Sequence, residues 1–396
     1  MKTNFRSICL TSLIGAMAPI YAVPAFSAEL PLDISTKGGL VISTKDKAYS
    51  MKLDGRIQAD YNNYDGVMNA DQGGDSGSDF FFRRARIGVS GVIATNWAYK
   101  AEFNINEGSG GDITDVYIRY KGWGKRAQIT IGNQREHFGF ENLTSSKNIT
   151  AIERSAPSQA WDAGRNIGIA LNGYGKNWTY GAGIYEAGQT EDQIDHAYTA
   201  RATYVPYKEE GSLLHIGAGI RVVEGEVGGV NGRPGIRQVD GDDRISVDFD
   251  GLGAEDQSVA NLELAGIVDS FHVSAEYFSA SVDLANNESY DMDGYYVMAG
   301  WFLTGEARAY SGKKGVFDKV KPAGNNGAWE IFARFDSLNL EDQNIGNDGT
   351  VTTLGINWYA NSQVRTGLNL VSTDYDNEIN GEDDGVGIAA RIQLTF

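Results

Sequence analysis

The sequence predicts an all-β protein, a transmembrane antiparallel β-barrel of about sixteen strands with one loop folded inward. Segments of about ten residues alternate apolar and polar side chains along most of the chain, as strands do when one face meets lipid and the other meets water. The 50 glycines and only 7 prolines favour strands and tight turns over helices. The chain also ends on an alternating strand whose last residue is Phe396.

The N-terminus has the charge and hydropathy order of an export signal. Lys2 and Arg6 precede the apolar stretch Ile8–Ile20, and small residues follow up to Ser27, which is the order of a secretory signal. The alternative, a membrane anchor, needs a longer uninterrupted apolar run. We therefore predict a signal peptide over residues 1–27 that is cleaved after Ser27.

Composition excludes several classes of function. The net charge of −18 argues against nucleic acid as a partner, because nucleic-acid binding needs basic patches. The acidity is concentrated in predicted loops, which are either simply solvated or form a rim that binds divalent cations beside lipopolysaccharide. Asp240–Asp243 lacks the spacing of a helix-loop-helix calcium site, and we name no metal ligand and no cofactor. The single cysteine, Cys9, lies in the predicted signal, so no disulfide is expected.

Strand assignment divides the mature chain into a short periplasmic segment, residues 28–48, and a barrel domain, residues 49–396. The alternating segments number sixteen, an even number that places both termini on one side of a barrel. They are 49–63, 79–93, 96–106, 111–121, 126–134, 165–173, 177–186, 196–206, 212–223, 257–268, 270–282, 291–304, 327–339, 349–360, 362–374 and 384–396. Long and short spacers alternate, except that Gly305–Asn326 is long on the short-turn side, which indicates one elaborated turn or two missed strands. A soluble multi-sandwich adhesin would need a linker, and a β-helix would need a short repeat; the sequence contains neither.

Strand parity sorts the charged side chains between lumen and lipid, since a charge on the lipid face near the midplane costs about 2–4 kcal/mol. Parity places Arg84 in the lumen and Arg83 on the outer face. The lumen set also includes Asp115 and the candidate pore-lining residues Arg86, Lys100, Arg119, Lys121, Arg201 and Arg221. Further basic candidates are Lys52, Arg56, Arg334, Arg365 and Arg391.

The stretch Arg135–Gly164 is the long strand-free segment that we predict to fold into the lumen, as loops of large barrels do. It contains Ser145, Ser146, Lys147 and Arg154, whose hydroxyl, ammonium and guanidinium groups are donors suited to an oxyanion. An ordinary polar loop is the alternative explanation.

Several motifs resemble those of the phosphate-selective porins, the O and P porin family. Arg135–Glu141 reads Arg-x-x-Phe-Gly-x-Glu, and Ser145–Arg154 reads Ser-Ser-Lys-x-x-Thr-x-x-Glu-Arg, which is similar to the family's constriction segment. Collinear matches continue to the C-terminus, at Phe82–Arg86, Asp115–Ile118, Gly300–Glu306, Gly327–Arg334 and Gly355–Asn361. The resemblance implies a sixteen-stranded barrel, a homotrimer, and an anion constriction at Arg83, Arg84, Asp115, Ser145, Ser146 and Lys147. Because parity places Arg83 outside, its role requires a bend or bulge in the strand.

The expected function is an outer-membrane channel of a Gram-negative bacterium that lets small phosphate-like anions diffuse passively through a basic constriction. Lipopolysaccharide and outer-membrane lipid are the expected surroundings. The alternatives are a less selective general porin, an adhesin or receptor barrel, and a barrel hydrolase. We expect no enzyme, because the four histidines, His137, His196, His215 and His272, belong to no catalytic motif in the sequence.

Overall fold

The computed structural model describes residues 31–36, 38–105, 112–189, 194–239, 244–285 and 288–396. The predicted signal over residues 1–27, Cys9 and Asp240–Asp243 lie outside the described residues. Within the described ranges, no helix is long and apolar enough to cross a membrane.

Sixteen antiparallel strands of the described chain form a closed barrel, which confirms the predicted fold class. Each strand pairs with its neighbours along the chain, and β16 pairs with β1 from Gly387 opposite Tyr64 to Thr395 opposite Arg56. The strands are β1 Ser50–Tyr64, β2 Gly77–Ile93, β3 Trp97–Asn104, β4 Asp112–Tyr120, β5 Gln128–Arg135, β6 Arg165–Tyr174, β7 Trp178–Gln189, β8 Ile194–Glu209, β9 Ser212–Glu226, β10 Glu255–Val268, β11 Phe271–Asp283, β12 Ser289–Phe302, β13 Ala328–Asn339, β14 Asp348–Tyr359, β15 Val364–Ile379 and β16 Glu382–Thr395.

The strands form where the sequence alternates because each then presents apolar side chains outward and polar ones to the lumen. In β16, Ile388 and Ile392 are 42% and 55% exposed on the outer face, whereas Arg391 and Gln393 are buried in the lumen. One end of the barrel has short turns, apart from the connection between β12 and β13, and the other end has the long loops 136–164 and 227–254, as at the extracellular end of bacterial barrels.

Shorter elements lie in the connections. A hairpin of Leu32–Ser35 and Leu40–Thr44 falls in the predicted periplasmic segment and pairs with the start of β1. The segment between β5 and β6, here the inward loop (residues 136–164), contains the helices α1 Phe140–Leu143 and α2 Ala156–Ala160. The connection between β12 and β13, here the long turn (residues 303–327), contains a hairpin of Tyr310–Ser311 and Val316–Phe317. The unusual spacer is therefore one elaborated turn. The remaining elements are a 3₁₀ helix at Gly66–Gln72 and a hairpin of Gly229–Gly232 and Ile245–Asp248.

An apolar core lies inside one side of the barrel. The hairpin between β9 and β10 contributes Val247 and Phe249, the inward loop contributes Trp161, and the wall contributes residues such as Phe278 and Val371. These side chains exclude water by packing against one another. The core thus covers part of the inner face of β10–β16.

The last residue completes the seam between the first and last strands. The Gly55 amide donates to the Phe396 carbonyl at 3.0 Å, and the Phe396 amide donates to the Gly55 carbonyl at 3.2 Å. A Cβ atom added to Gly55 would lie 2.5 Å from Phe396 Cζ and 2.6 Å from the Arg86 carbonyl oxygen. Only glycine therefore admits the aromatic ring at this position.

We expect Gly55→Ala to destabilise the barrel by about 1–3 kcal/mol, the usual range for overpacking. The measurement is the thermal unfolding midpoint of protein refolded in detergent. Gly88→Ala, also in the ladder of β1 and β2, is the control, because its added Cβ would approach no atom closer than 3.3 Å. Equal unfolding midpoints for the two variants would contradict the role of the seam.

Candidate anion pathway

Wall carboxylates accept hydrogen bonds from both helices of the inward loop. Glu276 accepts from the amides of Phe140 at 2.7 Å and Glu141 at 2.8 Å, and Asp336 accepts from the amide of Ala156 at 3.1 Å. The first amides of a helix have no partner within the helix, so a buried helix start needs such acceptors. These two acids, β11 and β13 residues, thus stabilise the loop inside the lumen.

Wall guanidinium groups bind the carbonyl oxygens of the same loop. The pairs are Arg391 with Ile152 at 2.6 Å, Arg334 with Glu153 at 2.9 Å, and Arg365 with Ile149 at 2.5 Å and with Thr150. A buried carbonyl without a donor would cost about 1–3 kcal/mol. These three arginines, expected from parity to be pore-wall cations, are therefore in contact with the loop backbone.

Arg154 stabilises the loop from within. Its guanidinium donates to the carbonyls of Glu141 at 3.1 Å, Asn142 at 3.4 Å and Thr144 at 3.0 Å. The Glu141 carboxylate in turn accepts from the amide and hydroxyl of Ser155 at 2.9 and 3.0 Å. The loop is thus a cross-linked unit, and anion binding by Arg154 stays a prediction.

The outward placement of Arg83 that parity predicted is wrong. The ladder of β1 and β2 shifts register between Gln58 and Ala59, so that Gln58 faces Arg84, Ala59 faces Phe82, and Arg83 is the extra residue of a bulge. A bulge reverses the direction of a side chain relative to simple alternation. Arg83 consequently contacts the inward loop.

Arg83 and Arg84 have different partners. Arg83 forms a bidentate ion pair with Glu153, at 2.7 and 3.0 Å. Burial opposes ionisation of Glu153, but Arg83 and Arg391 outweigh it and lower its pKa well below the usual range. Arg84 is buried and donates to the Gln58 side chain at 3.1 Å. Among the described residues, no carboxylate lies within 4.0 Å of its guanidinium.

A cluster of cations and carboxylates covers the wall of β1–β4 beside the loop. Glu102 lies 3.2 Å from Arg56, 3.4 Å from Arg86 and 3.3 Å from Lys100. Asp115 forms ion pairs with Lys100 and, at 2.9 Å, with Arg165. Four cations thus surround two carboxylates, so this patch of wall has a positive excess.

Ser146 and Lys147 lie against this cluster. Arg56 donates to the Ser146 hydroxyl at 2.7 Å, and Gln393 donates to the Lys147 carbonyl at 3.2 Å. In the described part of the chain, no carboxylate lies within 4.0 Å of the Lys147 ammonium. Burial and the neighbouring Arg56 guanidinium lower the pKa of Lys147 to about 8. Ser145 lies next to them in a half-buried position.

The other predicted lumen cations are spread along the wall. Arg119 donates to the Thr130 hydroxyl at 2.8 Å, and Lys121 directly follows β4 at the short-turn end. Arg201 forms a buried bidentate pair with Glu263 at 2.6 and 2.7 Å, and Arg221 lies 3.2 Å from Glu136. The structure thus brings Arg86 and Lys100, but not these four residues, into the cluster of Glu102 and Asp115.

Arg165 is the member of the cluster that sequence reasoning missed. Alternation groups it with Ile167 and Ile169, which are 61% and 55% exposed on the outer face. Arg165 is the first residue of β6. Asp115 lies just beyond the ladder of β4 and β5, which covers only Val116–Tyr120 of β4. The Arg165 guanidinium therefore reaches Asp115 in the lumen. No signal in the sequence indicates this contact, because it depends on where β4 ends.

Comparison with known proteins assigns the family. Residues 51–396 match the family described as phosphate-selective porin O and P. The chain belongs to this family. Porin O of Pseudomonas aeruginosa is 30% identical over 439 aligned residues, which cover 99% of this chain and 100% of that protein. The resemblance found in the sequence is confirmed, and this porin is an anion channel of the Gram-negative outer membrane.

Solved porin structures share the fold. An anion-selective porin from Comamonas acidovorans matches with a TM-score of 0.61 at 13% identity, over 88% of this chain and 100% of that one. The trimer form of in-vitro folded OmpT from Vibrio cholerae matches with a TM-score of 0.54 at 14% identity, over 88% and 100% of the two chains. Identities this low establish the barrel architecture alone.

The anion preference of this porin should decrease as the pH rises through about 8. The Lys147 ammonium is mostly protonated at pH 7 and mostly neutral at pH 9, because its pKa is about 8. The measurement is the reversal potential in a potassium chloride gradient at both pH values. Lys147→Gln should lack this change, and an equal change in wild type and variant would assign it to another group.

Removing the acceptor for α1 should loosen the inward loop. We expect Glu276→Ala to lower the free energy of unfolding by about 2 kcal/mol, since it leaves buried amide donors of the loop without an acceptor, and each such donor costs about 1–3 kcal/mol. It should also raise the noise of the open-channel current. Glu255→Ala, which changes an exposed carboxylate at the start of β10, is the control. Unchanged stability and noise in Glu276→Ala would contradict docking by this residue.

Proposed function

We propose that this porin conducts phosphate and related oxyanions by passive diffusion, through a constriction between the inward loop and the wall of β1–β4. The observation that carries the proposal is the half-buried Lys147 ammonium, which lacks an ion pair among the described residues. An uncompensated cation in a narrow passage lowers the free energy of an anion there and raises that of a cation. The family description, phosphate-selective, supports phosphate as the substrate.

Hydrogen-bond donors next to Lys147 suit an oxyanion. The Ser146 hydroxyl accepts from Arg56, so its own hydrogen is directed to another acceptor. Ser145 and Arg84, which has no carboxylate partner among the described residues, add further donors. A tetrahedral oxyanion has acceptors on every side, and charge-assisted hydrogen bonds to it are stronger than neutral ones.

Glu102 and Asp115 give the passage moderate affinity. Conduction requires an anion to bind well enough to enter and weakly enough to leave. Each carboxylate already neutralises part of the charge of its basic neighbours, so an entering anion competes with it for the same donors. We therefore assign to Asp115 a role in anion release.

The same proposal includes assembly and location. We propose a homotrimer, supported by the trimer form of OmpT and by the shared barrel architecture. The apolar outer face is suited to contact with outer-membrane lipid and lipopolysaccharide. Cleavage after Ser27 would release the mature chain, with residues 28–48 in the periplasm and residues 49–396 as the barrel domain.

Lys147→Glu should shift the channel toward cation selectivity. A reversed charge at the proposed constriction should lower the ratio of anion to cation permeability roughly tenfold, equivalent to about 1.4 kcal/mol. The measurement is the reversal potential in a salt gradient across a planar bilayer. Lys125→Glu makes the same charge change at an exposed residue of a short turn and should leave the ratio unchanged.

Phosphate block of the chloride current tests the substrate. We expect phosphate to reduce this current in wild type, and Lys147→Glu to abolish the reduction. An unchanged reversal potential in Lys147→Glu would reject the role of this residue. Anion selectivity without phosphate block would instead identify a less selective porin.

A further inference from the structure

The long turn does not lie at the rim of the barrel but extends into the lumen. Arg201 donates to the carbonyls of Lys314 at 3.0 Å and Gly315 at 2.8 Å. His215 Nδ1 and the Tyr310 hydroxyl lie 2.8 Å apart and share a hydrogen bond. These contacts join the turn to the inner wall at β8 and β9.

The long turn contacts the inward loop next to the candidate selectivity residue. Arg308 donates to the carbonyl oxygen of Asn148, and the Asn148 side-chain amide donates to Asp318 Oδ1 at 3.3 Å. Asn148 is thus bound through its backbone and through its side chain by two residues of the turn. It directly follows Lys147, so its Cα lies about 3.8 Å from that of Lys147.

We propose that the long turn is a positioning element, in which Arg308 and Asp318 hold Asn148 and thereby fix Lys147 at the anion constriction. We call these two residues the turn clamp. The inference rests on the proposed function for the role of Lys147, but it concerns residues outside the anion pathway. It gives the long turn a mechanical role in positioning the inward loop.

The surroundings of the turn clamp are rigid. Arg308 is buried, and its guanidinium lies 5.0 Å from the centre of the Phe317 ring and 3.8 Å from Glu330. Glu330 is bound by His272 of the wall at 2.8 Å. Phe317 packs edge-on against Phe140 of α1, with ring centres 5.0 Å apart. Because these contacts are buried and closely packed, the turn clamp can hold the inward loop in one position.

The competing explanation is electrostatic. The long turn contains four lysines, Lys313, Lys314, Lys319 and Lys321, which could attract anions simply by their charge. The two explanations predict opposite results for Asp318. If the turn acts through the electrostatic potential of its lysines, removing the negative charge of Asp318 should tighten phosphate binding. If Asp318 positions the loop, removing it should weaken phosphate binding.

The test compares Asp318→Ala with Asp318→Asn in planar bilayers. Both substitutions remove the charge, but asparagine retains an oxygen that can accept from Asn148. We expect the half-blocking phosphate concentration to rise about fivefold in Asp318→Ala, equivalent to about 1 kcal/mol, and to stay near wild type in Asp318→Asn. Equal decreases in both variants would overturn the clamp in favour of the electrostatic field, and no change in either would overturn it as well.

A second measurement does not depend on transport. A nitroxide attached in the variant Lys147→Cys reports the motion of position 147 by electron paramagnetic resonance in liposomes. Adding Asp318→Ala should make this label more mobile, whereas adding Asp318→Asn should not; equal mobility in both would overturn the clamp.

If the wild-type channel shows no phosphate block, the proposed function fails, and the mobility comparison still decides the clamp. If Asp318→Ala does not fold, Asn148→Ala removes the same hydrogen bond from the other side and should give the same increase.

Discussion

The structure depends on the pairing of peptide groups that the inward loop carries into the lumen. A backbone segment without partners could not remain there, because each buried unpaired amide or carbonyl costs free energy. The wall supplies carboxylates to the two helix starts and guanidinium groups to the carbonyls between them. The position of the loop in the lumen therefore depends on these wall partners.

This pairing divides the lumen charges into two groups. Arg334, Arg365 and Arg391 contact the loop backbone, so their positive charge is used in stability. Lys147 and Arg84 lack a carboxylate partner among the described residues, and the cluster of Glu102 and Asp115 has a surplus of cations. A chain with a net charge of −18 can thus have a passage that favours anions, because selectivity depends on the charges without local compensation.

Alternation could predict the sixteen strands because the barrel wall faces lipid on one side and water on the other. A charged residue on the lipid face costs free energy, so the sequence must alternate. It could not predict Arg83, because a bulge changes direction without a change in composition. It also missed Arg165, whose contact depends on where β4 ends. The serines and Lys147 could be proposed from their chemistry alone, whereas the roles proposed for Glu276 and Arg308 depend on contacts between residues more than a hundred positions apart.

The seam between β1 and β16 has a consequence for how the molecule forms. Its partners, such as Arg56 and Thr395, stand at opposite ends of the chain, so this ladder has the longest loop closure in the barrel. Strand pairing between residues this far apart in the sequence forms slowly during folding. Until the final strand is made, the edge of β1 that will meet it remains open to pairing with other chains. Synthesis must therefore reach β16 before closure, and any partner that prevents aggregation has to cover that edge until then.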